Sequence, residues 1–294
     1  MKITTSKMRF LSLLLALTML VGIGAPQTVF AKSSNKVKNP AMVDLSLNKS
    51  YAKYDITGDG KADTVKCTGK WEESYDGFQG LKITINGKTV LRDKETFYYE
   101  LNAKLCTLKN GKVYLYLYNP AENGDARYCG IYQYQKGKLK CVLNMNKFFG
   151  SGKLGYHTQG GVTAVSGNKL TVNMYQQNYE LGGINVAFDY KYSKGKLVKD
   201  GNVAKEYTIW AADNNSGKLT AQKNMRVYTK PDGKTKAFSL KKGQQIKVTG
   251  IYCKSGKMFL KVQRISDGKK GYIKCIEDYP KDFIAPFAEV VYAG

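Results

Sequence analysis

Between Leu47 and about Trp210 the apolar positions recur at every second residue in short runs, and almost nowhere at the three-and-four spacing of an amphipathic helix. Tyr, Val and Thr are prominent in these runs, and Asn-Gly, Lys-Gly and Gly-Asn pairs separate them. Such pairs close tight hairpins, because the positive φ they need costs little at Gly and Asn. The segment predicts an all-β domain.

The runs also repeat. Leu81-Lys82-Ile83-Thr84-Ile85, Ile131-Tyr132-Gln133-Tyr134-Gln135 and Phe188-Asp189-Tyr190-Lys191-Tyr192 each read as an alternating strand that enters a hairpin and returns. A second hairpin precedes each: Lys53-Tyr54 into Thr64-Val65, Leu105–Leu108 into Val113–Leu117, and Val162–Val165 into Leu170–Met174. Three meanders of four strands follow, at a period of ~50 to 60 residues, at or just above the length of a propeller blade. Closed propellers have at least about four blades, so three meanders imply an open ring or another arrangement.

Residues 211–218, Ala-Ala-Asp-Asn-Asn-Ser-Gly-Lys, have no apolar anchor and read as a linker. Residues 219–279 then carry five short strand patterns: 224–228, 237–240, 245–251, 258–263 and 271–275. The Leu240-Lys241-Lys242-Gly243 turn into the alternating strand from Gln245, with Phe259–Val262 and the closing Gly271-Tyr272-Ile273, resembles the bacterial SH3-like (SH3b) domain. The resemblance implies a small β-barrel used to hold proteins to cell-wall material. Where family members commonly carry an aromatic residue, often Trp, this chain has Phe259, and it has Tyr228–Gly233 where they have a Gly/Ser-rich turn. Residues 280–294 form a tail whose apolar residues, Phe283, Ile284, Phe287, Val290 and Val291, leave docking and disorder both open.

One stretch points directly to chemistry. Asp55-Ile56-Thr57-Gly58-Asp59-Gly60-Lys61-Ala62-Asp63 offers side-chain oxygens at Asp55, Thr57, Asp59 and Asp63, a carbonyl at Lys61, and a glycine for the sharp turn. Hard oxygens at that spacing suit calcium. The twelfth position is Lys66, where a helix-loop-helix site needs a bidentate Glu, and both flanks read as strands. The motif instead resembles the loops between the first two strands of FG-GAP/VCBS-type propeller blades. The corresponding turns of the other meanders, Lys109-Asn110-Gly111 and Ser166-Gly167-Asn168, are too short for a metal. A plain hairpin turn with solvated carboxylates is the competing reading, since turns select the same residues.

Lys2, Lys7 and Arg9, the apolar run from Phe10 to about Ile23, and small residues up to Ala31 predict a secretory signal over residues 1–31. A basic, flexible arm is expected over 32–46. No later stretch approaches the ~20 apolar residues of a membrane helix. The first cysteine, Cys67, lies far from the cleavage position and no wall-sorting signal ends the sequence, so retention at a surface is expected to be non-covalent.

Formal charge is +24, and losing Lys2, Lys7 and Arg9 with the signal leaves +21. A field of that size favours anionic polymers. The cations are almost all Lys and evenly spread, unlike the Arg-centred readers of nucleic acid. Partners are therefore expected among peptidoglycan and anionic wall polymers, with a merely solvated surface as the competing reading. Six cysteines in an exported chain permit disulfides; Cys253 and Cys275 share the small C-terminal unit and are the disulfide candidates, with buried free thiols as the alternative.

His157 is the only histidine and sits in a Gly-rich loop, but no cysteine has the helix-start setting that activates a thiol. Glu72, Glu73 and Asp76 cluster beside Trp71 and Tyr75, and read as a solvated loop before they read as paired carboxylates acting on sugar. The whole predicts an exported, non-catalytic, all-β protein: a calcium-stabilised repeat domain, then an SH3-like module that binds wall or other extracellular polymers. The alternative is a surface-associated glycan or wall hydrolase, or an inhibitor, with scattered active groups.

Overall fold

The computed structural model describes residues 40–121, 126–149, 159–210, 217–276 and 284–290. The expected signal, most of the 32–46 arm, His157 and residues 211–216 of the expected linker lie outside them. The described chain is nearly all antiparallel strand. A first strand β1 (Ala41–Asp44) is followed by β2 (Ser50–Tyr54), β3 (Asp63–Glu72), β4 (Gly77–Ile85) and β5 (Lys88–Tyr98). Next come β6 (Asn102–Thr107), β7 (Val113–Pro120), β8 (Ala126–Gln135) and β9 (Lys138–Asn144), then β10 (Gln159–Ser166), β11 (Lys169–Asn178), β12 (Gly182–Ser193), β13 (Lys196–Lys199) and β14 (Glu206–Ile209). The C-terminal strands are β15 (Lys218–Thr220), β16 (Met225–Tyr228), β17 (Lys236–Leu240), β18 (Gln245–Lys254), β19 (Lys257–Arg264) and β20 (Lys270–Lys274).

The three predicted meanders are three sheets: β2-β3-β4-β5, β6-β7-β8-β9 with β1 on its outer edge, and β10-β11-β12-β13 with β14 paired to β12. Their last hairpins share one turn chemistry. Asn86-Gly87, Lys136-Gly137 and Lys194-Gly195 each place two successive residues at positive φ, the geometry whose twist matches the flanking strands.

Alternation decides how the sheets stack. On β6 and β7, Ala103, Leu105, Val113, Leu115 and Leu117 join a core with Val65, Leu81 and Ile83 of the first meander. The intervening Cys106, Tyr114 and Tyr116 face the other way, into a core with Val172, Met174, Val186 and Phe188 of the third. The second meander is thus buried on both faces, which explains why its strands read as nearly continuous apolar runs.

That second core runs on into the C-terminal sheet through Leu219, Val248, Ile251, Leu260 and Val262. The backbone joins it too: Ala204 N–H donates to the Ile251 carbonyl and Cys253 N–H to the Asn202 carbonyl, both at 2.8 Å. Besides whatever residues 211–216 contribute, the third meander and the C-terminal sheet share one core.

Two expectations change, and the open reading of the tail is decided. The arm is structured from Ala41, where β1 pairs with β6 (Met42 opposite Cys106), and Leu45 N–H then donates to the Ala103 carbonyl at 2.8 Å. The C-terminal unit has six strands in the order β15-β18-β19-β20-β16-β17, an open sheet where a closed barrel was expected, because β15 takes the edge of β18. The tail docks over 284–290: Phe287 is fully buried and bridges Ala221, and Ala288 N–H donates to the Thr220 carbonyl at 2.9 Å. Among the described residues no helix is long and apolar enough to cross a membrane.

Candidate functional site

The loop joining β2 to β3 winds around Asp55. Its Oδ1 accepts the N–H groups of Gly58 and Asp59 at 2.7 and 3.0 Å, and its Oδ2 accepts that of Gly60 at 2.9 Å. Gly58 and Gly60 have φ of 81° and 88°, the left-handed region that costs glycine nothing and other residues strain. Asp59 Oδ1 takes the Lys61 N–H at 2.9 Å. Asp63 opens β3 and is 1% exposed. It accepts the Thr57 N–H at 2.7 Å, the Thr57 hydroxyl at 3.3 Å and the Asn86 amide at 2.6 Å. Asn86 in turn accepts the Thr64 N–H at 2.8 Å, so the loop is tied to the β4–β5 turn.

Asp55, Thr57, Asp59 and Asp63 therefore share one loop, with the carboxylates turned toward N–H donors. Among the described residues no three His, Cys, Asp or Glu side chains form a group that could hold a metal. An ionised carboxylate has about four lone-pair positions, and Asp55 and Asp63 each use three. Each keeps acceptor capacity, and the oxygens are of the hard kind that calcium takes.

The outer face of the C-terminal sheet has a different character. Inward residues of β18, β19 and β20, such as Val248, Leu260 and Ile273, fill the core. The alternate positions turn outward and carry Lys247, Tyr252, Phe259, Lys261, Tyr272 and Lys274. Tyr252 meets both Phe259 and Tyr272 edge-to-face, at 6.3 and 6.4 Å between ring centroids. Tyr228 pairs with Tyr272 across β16 and β20. Phe259, where the SH3-like resemblance has an aromatic, often Trp, is almost fully buried beside them, its ring 3.9 Å from where a Cβ on Gly233 would sit. Among the described residues Lys247, Lys261 and Lys274 have no carboxylate within ion-pair distance, unlike Lys169 and Lys191, which share Asp200 at 2.7 Å each.

No family model, curated protein or solved structure matches the chain. The functional reading rests on the residues themselves.

The disulfide candidates flank β19. Cys253 is the cross-strand partner of Met258, and Cys275 donates its N–H to the Met258 carbonyl at 3.0 Å from the other side. Two strand spacings of ~4.8 Å separate them, beyond the ~7 Å that a bridge can span without backbone movement. Both are free, buried thiols. Burial pushes Cys67, Cys106, Cys129 and Cys253 up to about 12, and Cys275 well above its usual value, opposite to the shift that activates a nucleophile.

The acidic cluster is dispersed. Glu72 pairs with Lys70 at 2.5 Å, while Glu73 opens a single 3-10 turn that ends at Asp76. Around it the rings form two groups: Trp71 on Phe78 at 4.9 Å, and Tyr75 on Phe97 with Phe97 on Tyr99 at 5.7 Å each.

The residues that sequence reasoning missed lie on the third meander. Gln176, Asn178 and Glu180 are buried, and among the described residues each leaves a side-chain polar atom without a partner. On the opposite face of the same sheet, Asn173, Tyr175 and Asn185 line a cleft with Tyr118. Tyrosine enrichment was visible in the sequence, but the convergence of these particular side chains depends on the register of three strands.

Proposed function

We propose that the protein is exported and adheres to cell-wall peptidoglycan or an anionic wall polymer through the outer face of its C-terminal sheet. The observation that carries this reading is the Tyr252–Tyr272 pair beside the buried Phe259, flanked by Lys247, Lys261 and Lys274. Aromatic rings present flat apolar faces to sugar or peptide. The ammonium groups, strongly hydrated and without carboxylate partners, attract phosphate or carboxylate on a polymer. The Leu240–Gly243 turn carries the SH3-like resemblance, and the net charge supports an acidic partner.

A calcium ion in the Asp55–Asp63 loop accompanies the proposal. Asp55, Thr57, Asp59, the Lys61 carbonyl and Asp63 would hold it, and it would supply positive charge to a loop carrying three carboxylates. The loop lies in the first meander, apart from the C-terminal sheet, so its role would be stability of the repeat domain rather than contact with polymer.

Sedimentation of the full mature chain with purified cell walls tests the reading. At 0.1 M salt the Debye length is ~10 Å, and at 1 M it is ~3 Å. Retention of most binding at 1 M salt is expected of a built surface. Complete release at 1 M salt would reduce the interaction to net charge alone.

A further inference from the structure

The polar face of the third meander holds a cleft of about 230 Å³, where its edge strand β10 meets Tyr116 and Tyr118 of β7. Its floor is the β10 segment Gly160-Gly161. Gly161 sits opposite Asn173 on β11, and Gln159 sits opposite Tyr175, which is also opposite Asn185 on β12. Cross-strand partners point to one face, so Gly161, Asn173, Tyr175 and Asn185 look into the same space. Tyr116 fixes the wall: its hydroxyl donates to the Gly160 carbonyl at 2.6 Å. Tyr118, two residues on, continues that wall.

Gly161 leaves the floor bare: a Cβ there would lie 3.4 Å from the Tyr116 hydroxyl and 4.0 Å from its ring, in ordinary contact. At the far rim Trp210 is 53% exposed, its ring 5.1 Å from that of Tyr175. The indole lies against Gly183, where an added Cβ would come within 3.1 Å of it, and the Trp210 backbone N–H donates to the Gly183 carbonyl at 2.8 Å. A half-exposed tryptophan thus packs on the sheet beside the opening.

Two features define the occupant. In a chain with 24% charged residues, none of the described side chains lining this cleft is charged. Among the described residues the amides of Gln159, Asn173 and Asn185 make no side-chain hydrogen bond, so each offers both a donor and an acceptor. Sugar hydroxyls have the same dual character, and the half-buried tyrosine rings match the C–H faces of a pyranose. A phosphate or carboxylate would need a surplus of donors or cations, which the lining lacks. The volume is below the ~300–1,000 Å³ of pockets that enclose drug-sized ligands; it admits one ring, with the rest of a chain lying outside along Trp210.

We propose that this cleft binds a single uncharged pyranose residue of a polysaccharide, with Asn173 and Asn185 bonding its hydroxyls and Tyr175 stacking on its face. The site is separate from the C-terminal surface proposed above.

The experiment uses the full mature chain carrying Trp71→Phe, which leaves Trp210 as its one tryptophan. Tri-N-acetylchitotriose, cellotriose and maltotriose are titrated at 0.1 and 1 M salt, with Trp210 emission and calorimetry as readouts. The expected result is saturable binding of at least one trisaccharide, changed less than about twofold by salt. Asn173→Ala should weaken it about tenfold, as for one lost hydrogen bond, with the melting temperature unchanged. Tyr175→Ala should weaken it further, whereas Lys261→Ala should leave it as it was. Absence of both heat and emission change with all three sugars at millimolar concentration overturns the proposal, as does binding that Asn173→Ala and Tyr175→Ala leave intact. Wall adhesion through the C-terminal sheet would survive either failure, so the two readings are separable.

Discussion

Glu180, in the connection between β11 and β12, accepts the backbone N–H of Ile276 at 2.8 Å, joining the third meander to the end of the C-terminal sheet. Glu180 is 3% exposed, and among the described residues its second oxygen has no partner. Burial raises its carboxyl to about 7, against smaller opposing effects from the Ile276 N–H and from Lys223.

A raised carboxyl pKa makes the native state bind more protons than the unfolded chain between about 4.5 and about 7. Stability from this group is full below the unfolded value and is lost as pH rises through 7. About two and a half pKa units correspond to roughly 3 kcal/mol. Glu180→Gln keeps the shape and removes the titration, so urea midpoints measured from pH 4.5 to 8 should fall with pH in the parent relative to the variant. Parallel curves would show that Glu180 ionises freely in the native state.

Asp63 should matter more than Asp59 without calcium, and Asp59 only with it. Asp63→Ala strands the Thr57 N–H and the Asn86 amide, a loss of about 1–3 kcal/mol in metal-free buffer. Asp59→Ala costs one exposed turn contact. If calcium binds as proposed, it stabilises the parent by about 2.7 kcal/mol at a hundredfold excess over Kd, and Asp59→Ala loses that gain. A melting temperature indifferent to calcium in the parent identifies the loop as a turn.

The docked tail gives a third test. Phe287 is fully buried, and Glu289 accepts the Thr220 N–H at 2.7 Å beside it. Phe287→Ala should destabilise by about 3–5 kcal/mol, as for a large cavity in a core. Glu289→Gln should cost far less. An unchanged denaturation midpoint for Phe287→Ala would show that the tail is dispensable.

The hairpins were legible because turn chemistry and alternation agree there: Asn86-Gly87 ends Leu81–Ile85, and the structure keeps that register. β1 was not, since Ala41-Met42-Val43-Asp44 is stable only against Leu105 and its neighbours, some sixty residues away. On β11 the pattern Leu170, Val172, Met174 marks the inward face, but that face continues through Gln176 and Asn178, where residue type alone points outward. The register that sets Met258 between Cys253 and Cys275 is likewise tertiary information. For the cleft, Asn173, Gly161 and Asn185 are ordinary strand residues until three strands align them.

The central claim is that the outer face of the C-terminal sheet, rather than net charge, holds the protein to wall polymer. The most direct measurement compares full-length parent with Tyr252→Ala and Tyr272→Ala in wall sedimentation at 1 M salt, where charge attraction is screened within ~3 Å. Neither substitution alters net charge, and both side chains lie outside the core. The account predicts that the parent stays bound while both variants are released, with unchanged melting temperatures. Equal retention of all three proteins, or release of all three, would contradict it.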